Sequence, residues 1–156
     1  MLELDIPGRG VLQLHHLVSD VNGTLAVDGE LRPGVVEGLH SLGAQLEIHL
    51  LTADTFGRQA EIDQALGVTA VRIPPGKESE AKAAYVKQLG AHRVVALGQG
   101  ANDAGMLQAA ALGICVLSVE GTAAEAVRVC DVLAPDVAAA LGLLHNPRRL
   151  MATLRR

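Results

Sequence analysis

Short apolar runs alternate along the chain with stretches in which apolar residues recur every three or four positions. The first kind predicts buried strands and the second predicts amphipathic helices. Leu2–Ile6 and residues 11–14 flank Pro7-Gly8-Arg9-Gly10, the pattern of a β-hairpin with a tight turn. A strand is expected over 15–21, and Asp28-Gly29 within 26–31 predicts a short flap hairpin. Val35, Val36, Leu39 and Leu42 lie at helical spacing within 33–43, with proline at the start and glycine at the end. The alternation then continues. Strands are expected over 46–51, 70–73, 94–97, 113–119 and Val132–Ala134, and helices over 56–66, 78–89, 102–111, 122–130, 136–144 and Pro147–Leu154.

Repeated strand–helix alternation predicts an α/β fold, a parallel sheet with helices on both faces and right-handed connections. There is no internal repeat or linker, so residues 1–156 are expected to form a single domain. In such sheets function gathers at the carboxyl ends of the strands, where strand order reverses.

Composition narrows the possibilities. Apolar residues make up 49% of the chain, but no run approaches the roughly 18 residues of a membrane span. The start, Met1-Leu2-Glu3-Leu4-Asp5, lacks the layout of a signal peptide, so a cytoplasmic protein with no membrane partner is expected. A formal net charge of -4 argues against nucleic-acid binding. An aromatic content of 1% argues against it further, because bases would have almost nothing to stack on. Cys115 and Cys130 fit no metal spacing and read as buried, reduced thiols. The six histidines are scattered outside the motifs and read as structural or solvated.

Polar residues cluster where strands end. After the first strand of the sheet comes Asp20-Val21-Asn22-Gly23-Thr24-Leu25, and after the second comes Thr52-Ala53-Asp54-Thr55. Lys82 lies near the start of a helix, and Gly98-Gln99-Gly100-Ala101-Asn102-Asp103 follows the strand over 94–97. Phosphoryl transfer is the chemistry that needs this set. A carboxylate can attack phosphorus and form an aspartyl-phosphate. The accumulated negative charge then needs cations and hydrogen-bond donors. Magnesium prefers oxygen ligands, and Thr and Lys side chains can hold phosphate oxygens. Gly23 and Gly98 let the backbone approach the ligand.

These motifs resemble those of the haloacid-dehalogenase-like superfamily of phosphatases and phosphotransferases, and most closely the small soluble proteins similar to P-type ATPases. The resemblance covers almost the whole chain. It implies a three-layer Rossmann-like core, here with an N-terminal hairpin and no cap domain. It further implies that Asp20 is the nucleophile and that Asn22 ligates magnesium through its backbone carbonyl, next to Gly23 of the phosphate loop. Thr52 would bind phosphate, and Lys82 would pair with Asp20 and the phosphate. Asp103 would be a metal ligand or an organiser of metal-bound water. The implied cofactor is magnesium and the implied partner a phosphorylated substrate. An open, capless site suggests a large substrate or a second subunit of a homo-oligomer acting as lid.

Two departures bear on turnover. Asn22 stands where the phosphatases carry an Asp that protonates the leaving group, which an amide cannot do. Gln99 stands where a metal-binding Asp is usual and offers only an uncharged oxygen. Slow turnover, a persistent phosphoenzyme or an acyl-phosphate substrate is expected, with a degenerate phosphate-sensing or partner-binding module as the alternative. Plainer roles compete at single positions. Thr52 suits a helix cap, Asn102 and Asp103 suit an N-cap pair, Asp54 suits a helix start, and Lys77 competes with Lys82.

Overall fold

The computed structural model describes residues 1–54 and 57–156. Strands β1 (Leu2–Ile6) and β2 (Gly10–Leu14) form the antiparallel hairpin, with Leu2 facing Leu14 and Ile6 facing Gly10. Leu2, Leu4, Ile6 and Leu14 are buried, so the hairpin acts as a lid of leucine-rich surface on one side of the molecule. Strand β3 (His16–Asp20) follows, and then the flap hairpin β4 (Ala26–Val27) and β5 (Glu30–Leu31). Asp28 and Gly29 both take positive φ, 52° and 79°, as a two-residue hairpin turn requires.

The remaining elements alternate as the pattern predicts. They are α1 (Val35–Leu42), β6 (Glu47–Thr52), α2 (Gln59–Leu66), β7 (Val71–Arg72), α3 (Glu78–Gln88), β8 (Val94–Gly98), α4 (Ala104–Ala109), β9 (Leu112–Val116), α5 (Ala124–Val129), β10 (Val132–Ala134), α6 (Val137–His145) and α7 (Pro147–Leu154). The helix expected over 56–66 begins at Phe56, which with Thr55 lies outside the described residues; its described part is α2.

Six strands form one parallel sheet in the order β10-β9-β8-β3-β6-β7. The chain builds outward from β3 through β6 to β7, then returns to the other side of β3 with β8, β9 and β10. Strand order therefore reverses beside β3, and the crevice above β3 and β8 is where a ligand site is expected. Val, Ile and Leu face both sides of the central strands, as a doubly covered sheet demands. On one face Leu17, Leu50, Val95, Leu97 and Ile114 pack under α1, α2, α6, α7 and the hairpin. On the other, Val18, Leu51, Val94, Ala96 and Cys115 pack under α3, α4 and α5.

Two element ends and the exposure of one cysteine depart from the sequence reading. The helix expected over 102–111 is a 3₁₀ turn (Ala101–Asp103) followed by α4, which stops at Ala109 because Ala110 is extended. Strand β9 ends at Val116 rather than 119. There the Thr122 hydroxyl bonds the Val116 carbonyl (3.0 Å) and receives the Ser118 N–H (3.0 Å), turning the chain out of the sheet. Cys130 is half-buried rather than buried, unlike Cys115. Burial pushes the Cys115 thiol up to about 12, so it stays protonated and inert. No helix among the described residues is long and apolar enough to cross a membrane.

Candidate active site

Asp20 is the last residue of β3, and its side chain points into the crevice at the reversal of strand order. The loop after it is held by one carbonyl. Val21 O accepts the N–H groups of Thr24 (3.2 Å), Leu25 (2.9 Å) and Ala26 (3.0 Å), while Gly23 N–H donates to Ala26 O (2.7 Å). That pattern gives the Asn22 carbonyl no backbone donor among the described residues. Gly23 has φ +83°, and a Cβ there would come within 2.6 Å of Gln99 Nε2 and 2.7 Å of Glu120 Oε2. The positive φ is what calls for glycine, since the two side-chain ends could swing aside.

Lys82, one turn into α3, crosses to the sheet and is 1% exposed. Its Nζ donates to Asp20 Oδ1 at 2.6 Å and to Asp103 Oδ1 at 2.7 Å. Asp20 Oδ2 accepts the Thr24 hydroxyl at 3.1 Å. Asp103 is fully buried, and its Oδ2 accepts the N–H groups of Gln99 and Gly100, both at 2.9 Å. Asp103 therefore braces the loop after β8 while it faces Lys82. Gly98 permits this packing, since a Cβ there would lie 2.6 Å from Asp103 Cβ. Lys77, at the exposed start of α3, takes no part in the cluster.

Two carboxylates against one ammonium fix the electrostatics. The Asp20 pKa is raised to about 7: burial and the charge of Asp103 push it up, and Lys82 and Thr24 pull it part of the way back. For Lys82, burial works against the charge, but the two carboxylates outweigh it and its pKa is raised. The ammonium keeps its proton, and the cluster carries an excess of negative charge that suits a divalent cation.

Thr52 ends β6 and is buried beside Asn22. Its Oγ1 accepts Asn22 Nδ2 (3.2 Å) and the Asp54 N–H (2.9 Å), which leaves the hydroxyl hydrogen to donate elsewhere. Asp54 has φ 53°, and its Oδ1 accepts the Gln59 N–H at the start of α2 (3.2 Å), so it serves the helix start. Gln99 Nε2 donates to the Gly121 carbonyl (3.0 Å). Glu120, which the sequence reading did not single out, brings a carboxylate to this mouth and accepts the Asp28 N–H of the flap turn (3.1 Å). Its one sequence signal is its position in the loop after β9, another strand end. Beside the flap opens a cleft of about 450 Å³, lined by Gly23, Thr24, Val27, Leu117 and Val119 among others. Among the described residues, only the flap and α1 lie between β3 and β6, and only α2 and β7 between β6 and α3.

In sheet order the chain shares the α/β fold of haloacid-dehalogenase-like proteins. Structurally the chain matches a 3-deoxy-D-manno-octulosonate 8-phosphate phosphatase from Moraxella catarrhalis, solved with magnesium, phosphate and KDO. The TM-score is 0.65 at 17% identity, covering 91% of this chain and 94% of that one. It also matches a zinc-transporting PIB-type ATPase in its E2.Pi state with TM-score 0.61 and 28% identity, over 79% of this chain and 20% of the ATPase. In sequence, it is 41% identical over 63 residues to the uncharacterized protein MJ0073 of Methanocaldococcus jannaschii, covering 40% of this chain and 68% of that protein. The chain belongs to the family of that protein. No family model matches it.

Proposed function

We propose that the chain is a magnesium-dependent phosphohydrolase or phosphotransferase that works through an aspartyl-phosphate on Asp20. The observation that carries this reading is the buried Asp20–Lys82–Asp103 cluster at the reversal of strand order. A magnesium ion fits the donors present: the Asp20 carboxylate, the unbonded Asn22 carbonyl and the Gln99 side-chain oxygen, with Asp103 bracing the loop that carries Gln99. Bound there, it would neutralise phosphate charge.

The chain's own groups do the rest. Lys82 opposes the upward shift of the Asp20 pKa and would pair with a phosphate oxygen. The Thr52 hydroxyl donates its free hydrogen to another. An Asp20 oxygen forms a bond to phosphorus as the leaving-group oxygen departs. Because Asn22 supplies no proton, that oxygen takes one from water or leaves as a stable anion, which favours acyl or anhydride phosphates. Water then attacks phosphorus, releasing inorganic phosphate and restoring the carboxylate. Without a base beside it, this second step is slow, so the phosphoenzyme accumulates. The cleft beside the flap would take the body of the substrate.

A second reading, a binding module without useful turnover, draws on the amides themselves. The Asn22 amide nitrogen is tied to Thr52 and that of Gln99 to Gly121, so both nitrogens are spent on the protein. One experiment separates the two. Acetyl phosphate with magnesium should add one phosphoryl group to the intact chain by mass spectrometry, and Asp20→Asn should abolish it. Full labelling of Asp20→Asn would sink the first reading. No labelling of the wild type, with strong phosphatase activity in the Asn22→Asp, Gln99→Asp double variant, would establish the second.

A further inference from the structure

At the other end of β3 lies a group of side chains that the phosphate site does not use. His16 and Glu47 open strands β3 and β6 and are register partners, and His49 lies two positions further along the same face of β6. His16 Nδ1 stands 3.2 Å from His49 Nε2 and 3.2 Å from Glu47 Oε2, and His49 Nε2 stands 3.8 Å from Glu47 Oε1. The two imidazoles are largely buried, at 15% and 11% side-chain exposure, while Glu47 is 67% exposed.

Hydrogen bonds alone fit this triangle poorly. His16 Nδ1 has one site with which to face both a carboxylate oxygen and an imidazole nitrogen: as a donor it can bond only one of them well, and as an acceptor from His49 it turns a lone pair toward the carboxylate. A cation at the centre would satisfy all three donors at once. Zinc bonds nitrogen and oxygen at about 2.0–2.2 Å, so ligand atoms at tetrahedral angles lie about 3.3–3.5 Å apart. The observed separations bracket that range. Behind the triangle, His49 Nδ1 meets the Tyr85 hydroxyl of α3 at 3.0 Å. A ligand histidine donates its far N–H to such a partner, and with Nδ1–H donating to the Tyr85 oxygen the ring is fixed and Nε2 keeps its lone pair outward.

We propose that His16 Nδ1, His49 Nε2 and the Glu47 carboxylate bind one divalent transition metal of the zinc class, with a fourth position open to solvent and Tyr85 orienting His49. Two imidazoles select against magnesium, which takes oxygen ligands. Four residue steps along β3, from His16 to Asp20, set the two sites about 13 Å apart along the strand, so they are separate.

The test titrates the purified full chain with zinc in excess magnesium, against a chromophoric chelator. The chain has one Tyr and no Trp, so intrinsic fluorescence reports on Tyr85 alone and gives a second readout. One equivalent should bind, with a change in tyrosine emission saturating at the same ratio. Cobalt in place of zinc should give the intense visible absorption of a four-coordinate ion. His16→Ala and His49→Ala should abolish binding, whereas Tyr85→Phe should weaken it by about 10-fold or more. Glu47→Gln is an exposed, isosteric change that leaves the fold intact, and it should weaken binding by about 10-fold. Asp20→Asn should leave zinc binding unchanged. Zinc affinity unaltered by Glu47→Gln and His16→Ala, or no zinc bound by the folded wild type, would overturn the proposal and leave a hydrogen-bonded triad.

Discussion

Two carboxylates and one ammonium share the buried cluster, and that imbalance governs its titration. Asp20, with a pKa raised from 3.8 to about 7, is favoured in its protonated form by the fold. Its contribution to stability is therefore present below about pH 4 and lost as pH rises through about 7. Removing the charge should stabilise the metal-free protein. Asp20→Asn is expected to be more stable than wild type by about 1–3 kcal/mol at pH 8, with the difference vanishing toward pH 4. Asp63 and Glu78, whose pKa values are lowered, act in the opposite direction in both proteins and cancel in the comparison. Urea melts of the two proteins across pH, with chelator present, provide the measurement. A wild type more stable than the variant at pH 8 would refute the assignment of strain to Asp20. The motif around Asp20 was legible in the sequence because its glycine and turn residues are local signals. Lys82 was separable from Lys77 only in three dimensions. Both lie near the start of one helix, and what distinguishes them is which turn faces the sheet.

Elements deliver these residues, and one close contact between elements shows how tightly. Strand β9 passes under α4 at Gly113, where a Cβ would lie 2.4 Å from the Leu107 carbonyl oxygen and 3.0 Å from its carbon. Both partners are backbone within the core, so neither can step aside. Gly113→Ala should push α4 off the sheet, and α4 follows directly on the turn that carries Asp103. A loss of about 2–3 kcal/mol is expected, measured by chemical denaturation, together with weaker magnesium-dependent activity. A variant as stable as wild type would show that the two elements have slack. Alternation of apolar runs and helical spacing revealed the element order, because both faces of a parallel sheet must be covered. Element ends were less legible. The Thr122 hydroxyl, bonded to the Val116 carbonyl and the Ser118 N–H, terminates β9, and no periodicity encodes such bonds. The His16–Glu47–His49 group was hidden for a related reason. Register between β3 and β6 brings together residues about thirty positions apart in sequence.

Across the whole molecule, the sheet is a shared lever. Its carboxyl end holds an excess of buried negative charge, and a cation with a phosphate analogue would remove the cost of keeping it there. Ligands that bind only the folded state stabilise it by mass action, about 2.7 kcal/mol at a hundred-fold excess over Kd. For a chain of 156 residues this corresponds to about 2–4 °C per kcal/mol. Magnesium with beryllium fluoride, a mimic of the aspartyl-phosphate, should therefore raise Tm by about 5–10 °C. Magnesium alone should raise it less, because Gln99 supplies no charge to hold the ion. Asp20→Asn should start from a higher Tm without ligand and gain almost nothing from the mimic, since its amide offers no anionic oxygen to beryllium. The combination is diagnostic: one substitution raises intrinsic stability and removes ligand stabilisation. If Asp20→Asn gained as much as wild type from beryllium fluoride, the anion would be held elsewhere, and Asp20 would be a structural carboxylate rather than a nucleophile.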